Sequence, residues 1–121
     1  MSTIKATTLS NLSGSKTVPT DTVVDGSAKA WVNFNGTGTV AIRRAFNVSS
    51  ITDNGTGDYT VNFTNAMVDA NYSAVAMQGL GGISTYFHPT TPFTTSGNRV
   101  VASNTTGGGV DAQFVCVAIF S

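Results

Sequence analysis

The chain has no glutamate, a single cysteine and a single histidine, and only 10% of its 121 residues are charged. About 25% is ordinary for a globular domain. Each shortage excludes something. With Cys116 alone, no internal disulfide forms, and a zinc site has too few Cys and His ligands to draw on. One His88 and one Cys116 are also too thin a supply for a nucleophile and its base, and no Gly-x-Ser-x-Gly elbow is present. A glycosidase pair would have to come from Asp21, Asp25, Asp53, Asp58, Asp69 and Asp111, most of which fall in turns or near the N-terminus.

Six basic residues balance six acidic ones, so there is no long-range field to gather a polyanion, and a nucleic-acid partner is not expected. No apolar run approaches the roughly 18 residues of a membrane span, and Met1 to Thr8 contains no apolar core of a signal peptide. The Gly-rich segments Gly79-Leu80-Gly81-Gly82 and Gly107-Gly108-Gly109 lack the Lys-Ser/Thr of a phosphate loop and the complete Gly-x-Gly-x-x-Gly spacing, which leaves them as loops. The stretch Asp53 to Tyr59 resembles one calcium-binding nonapeptide or the start of an EF-hand. The first would need tandem copies, and the second would need Gly in place of Asp58 and Glu in place of Thr64; a hairpin turn fits better. The expectation is a protein that is not an enzyme and uses no cofactor or metal.

What is present is strand and turn chemistry. Thr and Val recur in short runs between Gly and Asn, while good helix formers are scattered. Residues 1–27 are polar, with spaced apolar side chains at Ile4, Leu9, Leu12 and Val18 that fit neither helical nor strand period, and they read as an extended arm that orders on another surface, with a disordered leader as the plain alternative. Residues 28–121 read as one all-β domain, an antiparallel β-sandwich or jelly-roll-like unit.

Strands are expected near 29–34, 39–49, 57–64, 71–78, 98–103 and 110–120, with tight hairpins at Asn35-Gly36 and Asn54-Gly55. Tyr59, Val61 and Phe63 should share a buried face. Val40, Ile42, Phe46 and Val48 share a face that also takes in Arg44, and the break at Arg43-Arg44 suggests a bulge or a buried pairing.

The last strand, Phe114 to Phe120, is apolar on both faces, which implies cover on both sides. Phe114, Val115, Val117 and Ile119 are its candidate subunit-interface residues, with plain burial in the core of the domain as the alternative, and the Cys116 thiol is expected to be buried. The loop from Gly79 to Asn98 gathers Tyr86, Phe87, His88 and Phe93 and is the candidate receptor or partner contact, with packing of Phe87 and Phe93 as the plain alternative. A neutral, weakly charged chain is poorly protected against self-association, so an oligomer is expected.

The segments Gly26-Ser27-Ala28-Lys29-Ala30-Trp31-Val32-Asn33-Phe34-Asn35-Gly36-Thr37-Gly38-Thr39-Val40 and Phe46-Asn47-Val48-Ser49-Ser50-Ile51-Thr52-Asp53-Asn54-Gly55-Thr56-Gly57-Asp58-Tyr59-Thr60-Val61-Asn62-Phe63 resemble a module of tail-fibre and related virion proteins of tailed bacteriophages. The resemblance implies a homotrimer located in the virion and assembled in the host cytoplasm. Its arm, with Ile4, Leu9, Leu12 and Val18, would dock on other virion proteins of tail or capsid, and its β-domain would point outward, where a host surface glycan is a candidate partner. No shaft or collagen-like segment separates arm from domain, so a short fibre, a capsid-decorating protein and an adaptor all fit. A stand-alone carbohydrate-binding module is the reading from a different class. Insertion into a membrane is not expected.

Overall fold

A computed structural model describes residues 1–79, 84–88 and 90–121. Thr8–Ser10 (β1) and Thr17–Pro19 (β2) pair as a short antiparallel hairpin. Its turn is made locally: the Asn11 carbonyl and Oδ1 accept the Gly14 and Lys16 amides at 3.0 Å each, and Gly14 takes φ +72°. Thr20–Gly26 (α1) follows directly, with Asp21 in its first turn, where a carboxylate suits the helix dipole. A seven-residue helix is too short to persist on its own. No residue of 1–27 is buried. The expected extended arm is thus a hairpin and a helical turn, because the Asn11 and Ser13 side chains close a local turn that apolar periodicity does not register.

Eight further strands build the domain: Ala30–Asn35 (β3), Ala41–Phe46 (β4), Val48–Gly55 (β5), Asp58–Phe63 (β6), Ser73–Gly79 (β7), Ser84–Phe87 (β8), Gly97–Ser103 (β9) and Phe114–Phe120 (β10). They form two four-stranded antiparallel sheets, β4-β3-β10-β7 and β5-β6-β9-β8, packed as a β-sandwich with 51% strand and 6% helix overall. Both hairpins form where they were expected, with Asn35 ending β3 and Asn54-Gly55 ending β5, so that Thr56-Gly57 makes the turn into β6.

The core lies between the sheets and is filled by alternate residues of each strand. Val32 and Phe34 of β3, Tyr59 and Val61 of β6, Val100 and Ala102 of β9, and Val115, Val117 and Ile119 of β10 are all buried. Burial of each larger apolar side chain contributes about 1.5–3 kcal/mol. Phe34 and Tyr59 meet edge to face at 5.1 Å between centroids, which adds about 0.5–1.5 kcal/mol.

Three expectations need correction. The strand foreseen at 39–49 is two strands in different sheets, parted at Asn47. This residue takes φ 53° and ties the corner with its side chain, Nδ2 donating to the carbonyls of Lys29 (3.0 Å) and Asn65 (3.1 Å) and Oδ1 accepting the Asn65 amide (2.8 Å). The face grouping of Val40, Ile42, Arg44, Phe46 and Val48 accordingly fails. Arg44 pairs with Asn33 and Ile42 with Phe34, which leaves Arg43 as the extra residue of the expected bulge and shifts every side chain before it to the other face. Strand β8 falls inside what was read as loop. Leu80, Gly81, Gly82 and Pro89 of the expected loops lie outside the described residues.

Burial leaves two phenols neutral. Burial in the core, and next the hydrogen bond to Asp111, raise Tyr59 above its ordinary 10.0, and burial pushes Tyr72 up to about 12. Because the folded values are raised, the stability they contribute is complete below pH 10 and is lost as pH rises through about 12. In an absorbance titration, Tyr59 and Tyr72 should ionise only together with loss of the near-ultraviolet dichroism. Ionisation of all three tyrosines near pH 10 in a still-folded protein would contradict this packing.

Candidate functional site

The two outer faces of the sandwich differ in chemistry. On the first sheet, the residues alternating with the core set point outward: Trp31 and Asn33 on β3, Val75 and Met77 on β7, Cys116, Ala118 and Phe120 on β10, and Phe46 at the β4 edge. One row crosses the sheet as Phe46, Trp31, Ala118 and Val75, and the next brings Arg44, Asn33, Cys116 and Met77 together, with Arg44 exposed at the β4 edge. Phe46, Val75 and Met77 are 55%, 56% and 74% exposed. Trp31, Val75, Met77, Cys116 and Ala118 line a shallow hollow of about 380 Å³.

No outward position on β3, β7 or β10 carries a charge. The nearest cations sit at the β4 side of the sheet. There Arg43 donates to the Gln113 carbonyl and lies 4.2 Å over the Phe114 ring. An apolar expanse of this kind is a candidate contact surface.

The sequence-derived interface residues divide on this geometry. Phe114 is partly exposed, but Val115, Val117 and Ile119 are buried in the core and present nothing to another subunit. Strand parity is the reason: β10 is covered inside by its odd-numbered side chains, and its outward set is Phe114, Cys116, Ala118 and Phe120. Cys116 is exposed, contrary to the expectation of a buried thiol. The signal for the outward set was in the sequence, as two apolar faces on one strand, while the choice between them required the register with β3 and β7.

The candidate contact residues divide as well. Phe93 stacks on Tyr72 at 5.0 Å and meets Phe87 edge to face at 5.1 Å, so Phe87 and Phe93 staple the connection between β8 and β9 onto the core. Tyr86 and His88 point outward on the second sheet, and Tyr86 is 40% exposed.

This second outer face is polar. Arg99 grips Asp58 through two hydrogen bonds of 2.7 and 2.5 Å, and this guanidinium is the leading reason the Asp58 carboxyl is held below its ordinary value. Asn54 donates to Thr60 at 2.9 Å, and Asn62 donates to Ser50 (3.1 Å) and Thr52 (2.9 Å), forming a ladder across β5 and β6.

At one end of the sandwich the Tyr59 hydroxyl places its one proton between the Gly36 carbonyl (3.1 Å) and Asp111 Oδ1 (2.9 Å), which also accepts the Gly57 amide (2.8 Å). Asp111 is thereby committed to structure. Asp53 Oδ1 accepts the Gly55 amide at 3.0 Å, and Gly55 pairs with Asp58, so this stretch is a hairpin. Among the described residues no three His, Cys, Asp or Glu side chains gather as a metal site, and no helix is long and apolar enough to cross a membrane.

The arm residues Ile4, Leu9 and Leu12 are exposed and Val18 is partly so. Ile4 and Leu9 line a hollow of about 510 Å³ together with Val23 and Val24 of α1. The geometry therefore offers two apolar surfaces and one polar face with an ion pair. No protein family, curated protein or solved structure matches the chain.

Proposed function

We propose that this protein is a non-catalytic structural module of a bacteriophage virion, a short fibre or knob that assembles as a homotrimer through the outer face of its first sheet. The observation that carries this reading is the apolar surface of Trp31, Val75, Met77, Ala118 and Phe120, with the charges of that face confined to its β4 edge at Arg43 and Arg44. Around a three-fold axis each residue near the axis meets copies of itself, so a charge there would face its like. The β3, β10 and β7 part of the face has none, which suits an axis there with Arg44 kept to the β4 edge. The virion setting is supported by the resemblance over residues 24–75. Capsid decoration differs only in where the arm docks.

Cys116 provides the test, since it is exposed in the single chain and lies inside the proposed contact. A bulky maleimide should modify native protein slowly at micromolar concentration and rapidly once the copies are separated. Rapid modification at every concentration would overturn the reading.

The arm is the second part of the proposal. Because no residue of 1–27 is buried, deletion of residues 1–25 should leave the melting temperature of the β-domain unchanged while abolishing incorporation into particles. Normal copy number of the truncated protein in purified particles would show that the anchor lies elsewhere.

A further inference from the structure

The two Asn-Gly steps of the chain carry the same latent chemistry, and the fold treats them in opposite ways. A glycine after asparagine lets its own amide nitrogen reach the side-chain carbonyl carbon, because no Cβ stands in the way. At Asn35-Gly36 that approach is blocked. Gly36 is buried and its amide donates to the Ala112 carbonyl at 2.9 Å. The Asn35 carboxamide is held on Thr37, with Oδ1 accepting the amide (3.2 Å) and the hydroxyl (2.8 Å) and Nδ2 donating to the carbonyl (3.0 Å).

Asn54-Gly55 is arranged differently, since both residues are exposed. The register of β5 with β6 shifts between Asp53 and Gly55, so Asn54 is the extra residue of a bulge and has no partner across the ladder. Gly55 takes φ +134°, with open space where a Cβ would stand. Its amide proton points at Asp53 Oδ1 (3.0 Å), which puts a carboxylate on the proton that the rearrangement must remove. The Asn54 Nδ2 is drawn away from the backbone, toward the Thr60 hydroxyl (2.9 Å) and Asp58 Oδ1 (3.5 Å).

We propose that Asn54 is a site of spontaneous modification built into the β5–β6 hairpin, where Asp53 is the base that drives its conversion to aspartate and isoaspartate while Asn35 is preserved. Asp53 takes the Gly55 amide proton as that nitrogen bonds to Asn54 Cγ, closing a cyclic imide. The bond from Cγ to Nδ2 breaks, and Nδ2 leaves as ammonia with the proton returned from Asp53. Water then opens the imide at either carbonyl. One water is consumed, one ammonia is released and nothing is oxidised or reduced. The product places a carboxylate where Asn54 had offered Asp58 a donor, so like charges meet beside the Arg99–Asp58 pair and the neutral chain gains a negative charge. The site lies on the second sheet, so the inference holds whether or not the copies assemble.

Peptide mapping by mass spectrometry of the full chain, held at neutral pH and physiological temperature with and without urea, tests this. The folded protein should convert Asn54 at least as fast as the unfolded chain does. Conversion of Asn35 should be at least about tenfold slower folded than unfolded, because it must wait for local opening. Asp53→Asn, which keeps the acceptor for the Gly55 amide and loses the base, should slow Asn54 by about tenfold or more in the folded protein and leave the unfolded rate unchanged. Isoelectric focusing should show aged wild type moving to the position of fresh Asn54→Asp. The contrast between Asn54 and Asn35 in the unaltered chain keeps the test valid if a variant misfolds. Slower conversion of Asn54 folded than unfolded, equal loss of Asn35 and Asn54 in the folded protein, or a folded Asp53→Asn variant that converts as fast as wild type would each overturn the proposal.

Discussion

Met77→Asp should convert the assembled protein into a folded monomer. The side chain is 74% exposed in the single chain, so the new carboxylate stays in water there and the melting temperature should not fall. In the proposed trimer the same position lies inside the apolar contact, with two strands between it and Arg44 at the β4 edge, and three carboxylates would enter it together. An unpaired buried charge costs several kcal/mol; about 3 kcal/mol per contact is roughly a 100-fold loss in association. Sedimentation velocity on wild type, Met77→Asp and the loop control Thr105→Asp would read this directly. Unchanged mass for Met77→Asp would place the contact elsewhere.

Gly57→Ala should abolish folding, and the cause is local. Gly57 closes the β5–β6 hairpin at φ +69°, and a Cβ there would lie 2.4 Å from the Ala102 carbonyl oxygen and 2.5 Å from the Val110 nitrogen. Both obstacles are backbone, and the same residue donates to Asp111 at 2.8 Å and accepts the Ala102 amide at 2.7 Å. A methyl group would push the hairpin off the segment that crosses from β9 to β10, breaking both bonds. The expected loss exceeds about 4 kcal/mol. Gly38 is the control, because it has φ +61° with open space around it, so Gly38→Ala should cost only the left-handed backbone penalty of about 1–2 kcal/mol. Equal urea midpoints for the two variants would refute the clash.

These residues also show how far the sequence alone could be read. The Asn-Gly turns, the alternation of Tyr59, Val61 and Phe63, and the bulge at Arg43 are local properties, and local chemistry disclosed them. The sheet change at Asn47 was hidden because its causes, the Lys29 carbonyl and the Asn65 backbone, lie 18 residues away on either side. The same limit applies to β10. Two apolar faces announced cover on both sides, but which parity faced the core depended on strands β3 and β7.

The contact loop was partly legible for a related reason. Aromatic residues among prolines and glycines indicated a special segment, while the separation of stapling Phe87 and Phe93 from outward Tyr86 and His88 follows from pairing of β8 with β9. The Tyr86 and His88 face could be guessed from composition. Its partner, the Arg99–Asp58 pair, joins residues 41 positions apart and has no sequence signature.

The central claim is that copies of this chain cover the outer face of the first sheet. Light scattering on the purified full chain across the micromolar range tests it most directly. The account predicts a mass three times 12.4 kDa. A stable mass of 12.4 kDa at every concentration would contradict it.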